Sequence, residues 1–95
     1  MDNQHKQIKG YRDLSQGEID LMNQIKTKGE ELDALHQKIR AHISSQRCDA
    51  EDDSSPSEDQ RLNAAEPERW MSIGKTHIQE GLMALTRAVA QPTTF

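Results

Sequence analysis

The side chains best suited to chemistry lie near the N-terminus, where an aromatic ring and several cations are close along the chain. Tyr11, the only tyrosine of the 95 residues, precedes Arg12, and Lys26 and Lys28 follow in the next segment. A ring that stacks on a base and cations that pair with phosphate form a receptor for a nucleotide. Alternatively, Tyr11 packs on a neighbouring subunit and the lysines are solvated. The residues alone leave both interpretations open.

A second polar set occurs late in the chain. Arg69 and Thr76 are seven residues apart, so they stack on one face of a helix, with Ile73 between them. If identical copies converged there around a symmetry axis, they would offer guanidinium groups and hydroxyls to a cyclic phosphate ligand. The alternative is an exposed arginine and a threonine that makes an interhelical hydrogen bond.

The sequence contains no constellation typical of catalysis or metal binding. Its four histidines lack a partner set: His36 and His42 are six residues apart and share no clear helix face, and Cys48 is the only cysteine. Glu30 and Glu31 fall on a helix surface with nothing apolar to raise a pKa, and the serine pairs have no adjacent base. We therefore expect no enzyme activity, no cofactor and no metal.

Negative charge is concentrated in residues 49–59. This stretch contains six acidic residues and no basic one, namely Asp49, Glu51, Asp52, Asp53, Glu58 and Asp59. The net charge of the whole chain is -4, so the remainder sums to about +2. An acidic chain without a basic tract is a poor candidate for duplex nucleic acid, which requires many phosphate contacts. No signal peptide or membrane-length apolar run is evident, so we expect a soluble intracellular protein without a membrane partner.

A clear helix start follows a polar leader at residues 1–14. Ser15 and Glu18 have the spacing of a capping box, and Leu14 and Ile19 occupy the two positions of a hydrophobic staple. A staple fixes the direction in which a chain enters its helix. We therefore expect Tyr11, three residues before Leu14, to be held near the first helical turns.

Apolar side chains then recur every three or four residues, as they do along one face of a helix. The pattern consists of Ile19, Met22, Ile25, Gly29, Leu32, His36, Ile39 and Ile43, with Leu21 and Leu35 widening it. It predicts a first long helix over residues 15–46. Glycine weakens a helix by up to about 1 kcal/mol relative to alanine, so Gly29 on this face indicates close approach of another backbone.

Residues 47–60 are acidic, serine-rich and interrupted by Pro56, which predicts a solvated linker. A second helix is predicted over residues 61–91. Asn63 and Glu66 have the spacing of another capping box, and with Pro67 they indicate a kink or a true start near residues 64–67. The apolar face of this helix comprises Met71, Gly74, Ile78, Leu82, Leu85 and Val89, with Trp70, Ile73, His77, Ala84 and Ala88 beside it.

These patterns predict an all-α protein in which residues 1–95 form one antiparallel helical hairpin. Leucine, isoleucine, valine and phenylalanine together number 16, which is few for a compact monomeric core. Two helices cannot bury a full core between them, and Gly29, Gly74 and Gly81 would admit close neighbours. We therefore expect an obligate homo-oligomer, whose subunit number does not follow from the pattern.

Two segments together resemble a known family. "GYRDLSQGEIDLMNQIK" and "RWMSIGKTHIQEGLMALTRAVAQPTTF" are similar to the small phage anti-CBASS proteins that act as cyclic-oligonucleotide sponges and share a helical hairpin with anti-Thoeris sponges. The resemblance covers the chain apart from the acidic stretch. It implies a homohexamer that binds cyclic dinucleotides such as cGAMP between protomers and cyclic trinucleotides at threefold sites. It also implies sequestration without cleavage, in the cytoplasm of the infected bacterial host, so that the CBASS effector stays inactive.

The resemblance also implies roles for individual residues. Tyr11 would stack on a base and Lys26 would meet the phosphates of a cyclic dinucleotide, with Arg12 and Lys28 as neighbours. Arg69 and Thr76 would belong to the trinucleotide site. The rival hypothesis is a homo-oligomeric helical adaptor that binds a partner helix and no small ligand.

Overall fold

The chain folds into three helices that form a hairpin. The computed structural model describes residues 12–52 and 56–94. In these ranges the regular elements are α1 (Gln16–Asp52), α2 (Pro56–Ala65) and α3 (Pro67–Ala90), without a strand. The all-α class predicted from the periodicity is confirmed.

Contacts at three levels establish that α1 and α3 run antiparallel. Near the start of α1, the Arg12 side chain donates to the carbonyl oxygen of Val89 at the end of α3. In the middle, Leu82 packs on Gly29. At the other end of the hairpin, Arg47 of α1 pairs with Glu68 in the first turn of α3. The predicted hairpin is therefore confirmed, and it is elongated, with extents of 61 × 23 × 17 Å.

The short helix α2 closes the far end of the hairpin. Leu62 of α2 is 1% exposed, and α2 packs on α1, the helix that contains the buried residues Ile43 and Ala50. Arg47 joins all three helices there, because it donates to both carboxylate oxygens of Glu68 at 2.9 Å and to Asn63 Oδ1 at 2.7 Å. This end of the molecule therefore contains the main buried cluster.

The predicted linker at 47–60 is wrong over most of its length. Helix α1 continues to Asp52 instead of ending at residue 46, and α2 begins at Pro56. No proline or glycine interrupts residues 47–52, and Ala50 is buried against its neighbours. Tertiary packing therefore extends the helix through an acidic stretch whose composition suggested a loop.

The second predicted capping box does not form. The Asn63 side-chain oxygen accepts a hydrogen bond from Arg47, whereas Glu66 has a left-handed backbone (φ 52°) and no side-chain cap. Pro67 then occupies the start of α3, where a missing N–H costs nothing. Of the two predicted alternatives, a kink or a true start, the chain adopts a new helix beginning at Pro67.

A neighbour does lie close to Gly29, but the predicted backbone partner is wrong, because a side chain makes the contact. A Cβ atom at this position would lie 3.1 Å from Leu82 Cδ1, which is tighter than ordinary van der Waals contact. A Cβ at Gly74 or Gly81 would meet no described atom within 4 Å. The missing side chain at Gly29 therefore serves packing within the hairpin, whereas the other two glycines face open space.

Much of the apolar surface stays uncovered in the isolated chain. Among the described residues, Ile43, Ala50, Leu62 and Ala90 are the buried hydrophobic ones. Large apolar side chains that remain exposed are Leu21, Leu35, Ile39, Trp70, Ile78, Met83 and Leu85. The radius of gyration is 20.2 Å, compared with about 13 Å for a compact 100-residue domain. The hairpin alone therefore does not bury the apolar faces that its sequence provides.

Candidate functional site

An open groove lies between the start of α1 and the end of α3, and we call it the main groove. Its volume is about 940 Å³. It is lined by Met22, Asn23, Ile25, Lys26, Gly29, Glu30, Asp33, Leu82, Met83, Thr86, Arg87, Ala90 and Pro92. The apolar side chains offer a surface for a flat ring, and the charged groups offer partners for polar atoms.

Both signs of charge occur along the main groove. Lys26 of α1 and Arg87 of α3 supply cations, and Arg87 also donates to the carbonyl oxygen of Thr94 at 3.1 Å. Glu30 and Asp33 supply carboxylates farther along α1. Cations can pair with phosphate, and carboxylates can accept hydrogen bonds from the N–H groups of base edges.

Lys26 and Lys28 do not face the same space within one protomer. Residues two apart on a helix point about 200° apart. Lys28 accordingly lines a second groove of about 460 Å³, which also contains Leu21, Leu85 and Val89, and its ammonium group lies 3.2 Å from Glu31 Oε2. The two lysines that were predicted as neighbours at one ligand therefore lie on opposite sides of α1.

The Arg12 guanidinium forms hydrogen bonds with groups of its own protomer. Its guanidinium makes two parallel contacts with the Glu18 carboxylate, of which Nη1 to Oε1 measures 3.2 Å, and Nη2 also donates to the Val89 carbonyl oxygen at 3.0 Å. We call this set of contacts the Arg12 clasp. It ties the residue after Tyr11 to the start of α1 and to the end of α3.

The predicted capping box at the start of α1 is confirmed and supports the clasp. The backbone N–H of Glu18 donates to Ser15 Oγ at 3.2 Å, and the backbone N–H of Ser15 donates to Glu18 Oε1 at 2.8 Å. The bonds from Arg12 and then from Ser15 lower the pKa of Glu18 from 4.5 to about 2. The Glu18 side chain therefore has two roles, as helix cap and as the anion of the clasp.

The ionisation of Glu18 gives a prediction about pH. Because the pKa of Glu18 is lowered on folding, its pair with Arg12 stabilises the folded state fully above pH 4.5. This stabilisation is lost as the pH falls towards 2. We expect carboxyl NMR titration to give Glu18 a pKa of about 2, and Arg12→Gln to move it up towards its ordinary value. An unchanged Glu18 pKa in Arg12→Gln would contradict the clasp.

Tyr11 is the remaining residue of the predicted dinucleotide site. It lies outside the described residues, as does the leader before it. The staple partners Leu14 and Ile19 are both half-buried.

Arg69 and Thr76 lie on one face of α3, two turns apart, as predicted, but they contact different groups. Arg69 lies 3.6 Å from Glu66 Oε2, and its guanidinium lies 5.1 Å from the centre of the Trp70 ring. Thr76 lines a shallow depression of about 240 Å³ with Ser72, Ile73 and His77. Its hydroxyl donates to the Ser72 carbonyl at 3.1 Å, so the interhelical hydrogen bond offered as an alternative is wrong.

His36 is the most poorly satisfied polar group of the α1–α3 seam. Both of its ring nitrogens are buried without a hydrogen-bond partner among the described residues, beside a cavity of about 170 Å³ that also contacts Asp33 and Lys75. Within the same ranges, no three histidine, cysteine or acidic side chains come together as metal ligands. No helix in the described ranges is both long enough and apolar enough to cross a membrane.

Sequence reasoning missed several groove residues. Arg87, Met83 and Asp33 contribute to the main groove, yet none was selected from the sequence. Met83 and Arg87 are four apart on α3, so their shared face could be predicted. Their placement opposite Lys26 depends on the register of α1 against α3, which a single sequence does not specify.

Comparison with known proteins identifies relatives across almost the whole chain. The family model described as the Acb2/Tad1 hairpin domain matches residues 3–90. Anti-CBASS protein 2 of Pseudomonas phage JBD67 is 47% identical over 105 aligned residues, which cover 97% of each chain.

Proposed function

The chain belongs to the Acb2/Tad1 hairpin family, and from this premise we propose that it is an anti-CBASS protein that sequesters cyclic oligonucleotide messengers without cleaving them. The observation that supports this function most is the main groove. It combines an apolar surface with Lys26 and Arg87 in a space of about 940 Å³. Bases and bridging phosphates of a cyclic dinucleotide require those two kinds of partner.

Within this proposal, Lys26 pairs with phosphate and Tyr11 stacks on a base. Lys26 is exposed on the wall of the main groove. Tyr11 is joined covalently to Arg12, whose side chain is bound to the Val89 carbonyl oxygen at the end of α3. Arg87 is a further cation for the phosphates, and Glu30 and Asp33 are acceptors for base N–H groups.

We further propose that the functional form is a homo-oligomer, with six protomers as the family resemblance implies. The exposed apolar residues of α1 and α3 support self-association, because soluble monomers rarely expose large contiguous apolar patches. Light scattering is then expected to give six times 10.8 kDa, or about 65 kDa. A mass of one chain would contradict this assembly.

Lys28, which faces away from Lys26, would serve a neighbouring protomer's ligand.

Arg69 and Thr76 are proposed as a separate site for cyclic trinucleotides. Both are exposed on one face of α3, away from the main groove. Repetition around a threefold axis would turn each into a ring of equivalent groups, which matches the symmetry of a cyclic trinucleotide.

We propose sequestration in place of hydrolysis on the chemistry of the groove. Thr86 carries the only hydroxyl side chain among the described residues of its walls, and that hydroxyl donates to the Leu82 carbonyl at 2.9 Å. No histidine lines this groove in the described ranges to activate it. The protein would thus act by lowering the free messenger concentration in the cytoplasm of the infected bacterium.

An effector assay tests this function. Purified protein added to a CBASS effector with a limiting amount of its cyclic messenger is expected to prevent activation. Heating the mixture to denature the protein, followed by fresh effector, should restore activity, because the released messenger is intact. Failure to restore activity would indicate cleavage, and no initial inhibition would favour a helical adaptor.

A further inference from the structure

We propose that Arg12 and Glu18 are positioning residues that fix the chain directly after Tyr11 to the end of the hairpin where α1 begins and α3 ends, and that Arg12 does not contact the ligand. This inference rests on the proposed function and corrects the role expected for Arg12 from the family resemblance. The sequence gives Arg12 the appearance of a phosphate ligand because it adjoins the tyrosine. The contacts of Arg12 with Glu18 and Val89 indicate a structural role instead.

The hydrogen-bonding capacity of the Arg12 guanidinium is already committed. A guanidinium has five N–H donors. The two terminal nitrogens contact both Glu18 oxygens, the Val89 carbonyl oxygen and, at 3.4 Å, the carbonyl oxygen of Asp13. The remaining donor, Nε, is buried and has no partner within the described residues. A phosphate could therefore reach Arg12 only if clasp contacts broke.

The two acceptors of the clasp are themselves well fixed. Glu18 is held in the first turn of α1 by its reciprocal bonds with Ser15. Val89 belongs to the last turn of α3, where carbonyl oxygens have no partner within the helix and the helix dipole favours a cation. Arg12 thus satisfies an unpaired carbonyl of one helix while it binds the cap of the other.

This arrangement matters for the residue that precedes Arg12. Consecutive Cα atoms are about 3.8 Å apart, so fixing Arg12 against both helices limits the positions that Tyr11 can reach. Without the clasp, Arg12 would have to be ordered on ligand binding, and that entropy loss would weaken affinity. Val89 and Ala90, adjacent residues of α3, line the second and main grooves respectively. The anchoring point is therefore at the correct end of the hairpin.

A double-mutant cycle tests the positioning role. Arg12→Gln, Glu18→Gln and the double variant are titrated with 3′,3′-cGAMP by calorimetry. Glutamine at position 18 can still accept the Ser15 N–H, so the helix cap is retained. Each single variant is expected to weaken binding about tenfold, and the double variant no further, because coupled residues are not additive. Arg12→Lys should also weaken binding, since an ammonium cannot form the two-pronged contact.

The matched control is the pair Glu58 and Arg61 of α2, another arginine–glutamate contact, which lies at the far end of the hairpin. Glu58→Gln and Arg61→Gln are expected to bind like wild type. If Glu18→Gln also bound like wild type while Arg12→Gln lost affinity, Arg12 would be a ligand and the proposal would be wrong.

Limited trypsin digestion tests the anchoring without any ligand, so that it remains informative if the proposed function fails. The clasp engages the Arg12 guanidinium that trypsin must bind. Glu18→Gln is expected to increase cleavage after Arg12 at least several-fold while the variant stays folded at the digestion temperature, and Glu58→Gln is expected to have no effect on this bond. Equal cleavage in wild type and Glu18→Gln would overturn the clasp even if cyclic dinucleotide binds.

Discussion

Replacement of Tyr11 by alanine is expected to weaken binding of cyclic dinucleotide strongly. Stacking of a base on an aromatic ring contributes about 1–3 kcal/mol. If both bases of the ligand stack on such rings, the loss corresponds to roughly 30-fold to 10⁴-fold in affinity. Calorimetry with 3′,3′-cGAMP measures this loss directly.

Tyr11→Phe is the matched control, because it keeps the ring and removes only the hydroxyl. It is expected to bind within a few-fold of wild type, and both variants should keep the wild-type oligomer mass. A change of mass in Tyr11→Ala would instead identify Tyr11 as an interface residue. Unchanged affinity in Tyr11→Ala would exclude it as a stacking platform.

Replacement of Lys26 by alanine is expected to weaken cyclic dinucleotide binding by about 10-fold to 150-fold. This range corresponds to one hydrogen bond to a charged group, about 1.5–3 kcal/mol. Lys26 is exposed on the wall of the main groove, so its removal leaves no buried partner unpaired. The variant should also bind with a smaller dependence on ionic strength, since one ion pair has been removed.

Lys38→Ala provides the control for Lys26→Ala, because it removes a lysine from an exposed position farther along α1. It is expected to bind like wild type. Equal losses in the two variants would mean that the net charge of the helix matters and that Lys26 makes no specific contact.

The start of α1 illustrates what local sequence determines. Ser15 and Glu18 form their capping box as the spacing predicts, because the bonds join residues three apart and need no tertiary partner. The α1–α3 seam is also predictable from its periodicity, and Leu82 does lie on Gly29. The similarity to known relatives likewise confirms the family expected from the two helical segments.

The far end of the hairpin illustrates what local sequence does not determine. Asn63 has the spacing of a cap, yet its side chain accepts from Arg47, sixteen residues away. Helix α1 continues beyond residue 46 because Ala50 is buried. Composition shows that the acidic stretch is polar, but it does not predict that Ala50, a small residue within it, is buried.

The site was predictable only in part, for a related reason. Helical geometry alone places Lys26 and Lys28 on opposite sides of α1, so the sequence could have predicted that they line different grooves of one protomer. The contact of Arg12 with α3 could not be predicted, since it depends on Val89, which is 77 residues distant. Exposed apolar residues such as Met83 and Leu85 are the basis of our proposal that protomers associate, and contacts between chains cannot be predicted from local sequence.

The most direct test of the central claim combines calorimetric titration of the purified protein with 3′,3′-cGAMP and chromatography of the ligand released on denaturation. We expect saturable, tight binding and recovery of the unmodified cyclic dinucleotide. If the titration gives no heat and the protein retains no ligand, the sponge function is contradicted and an adaptor is supported. A linear dinucleotide in the released fraction would identify a nuclease.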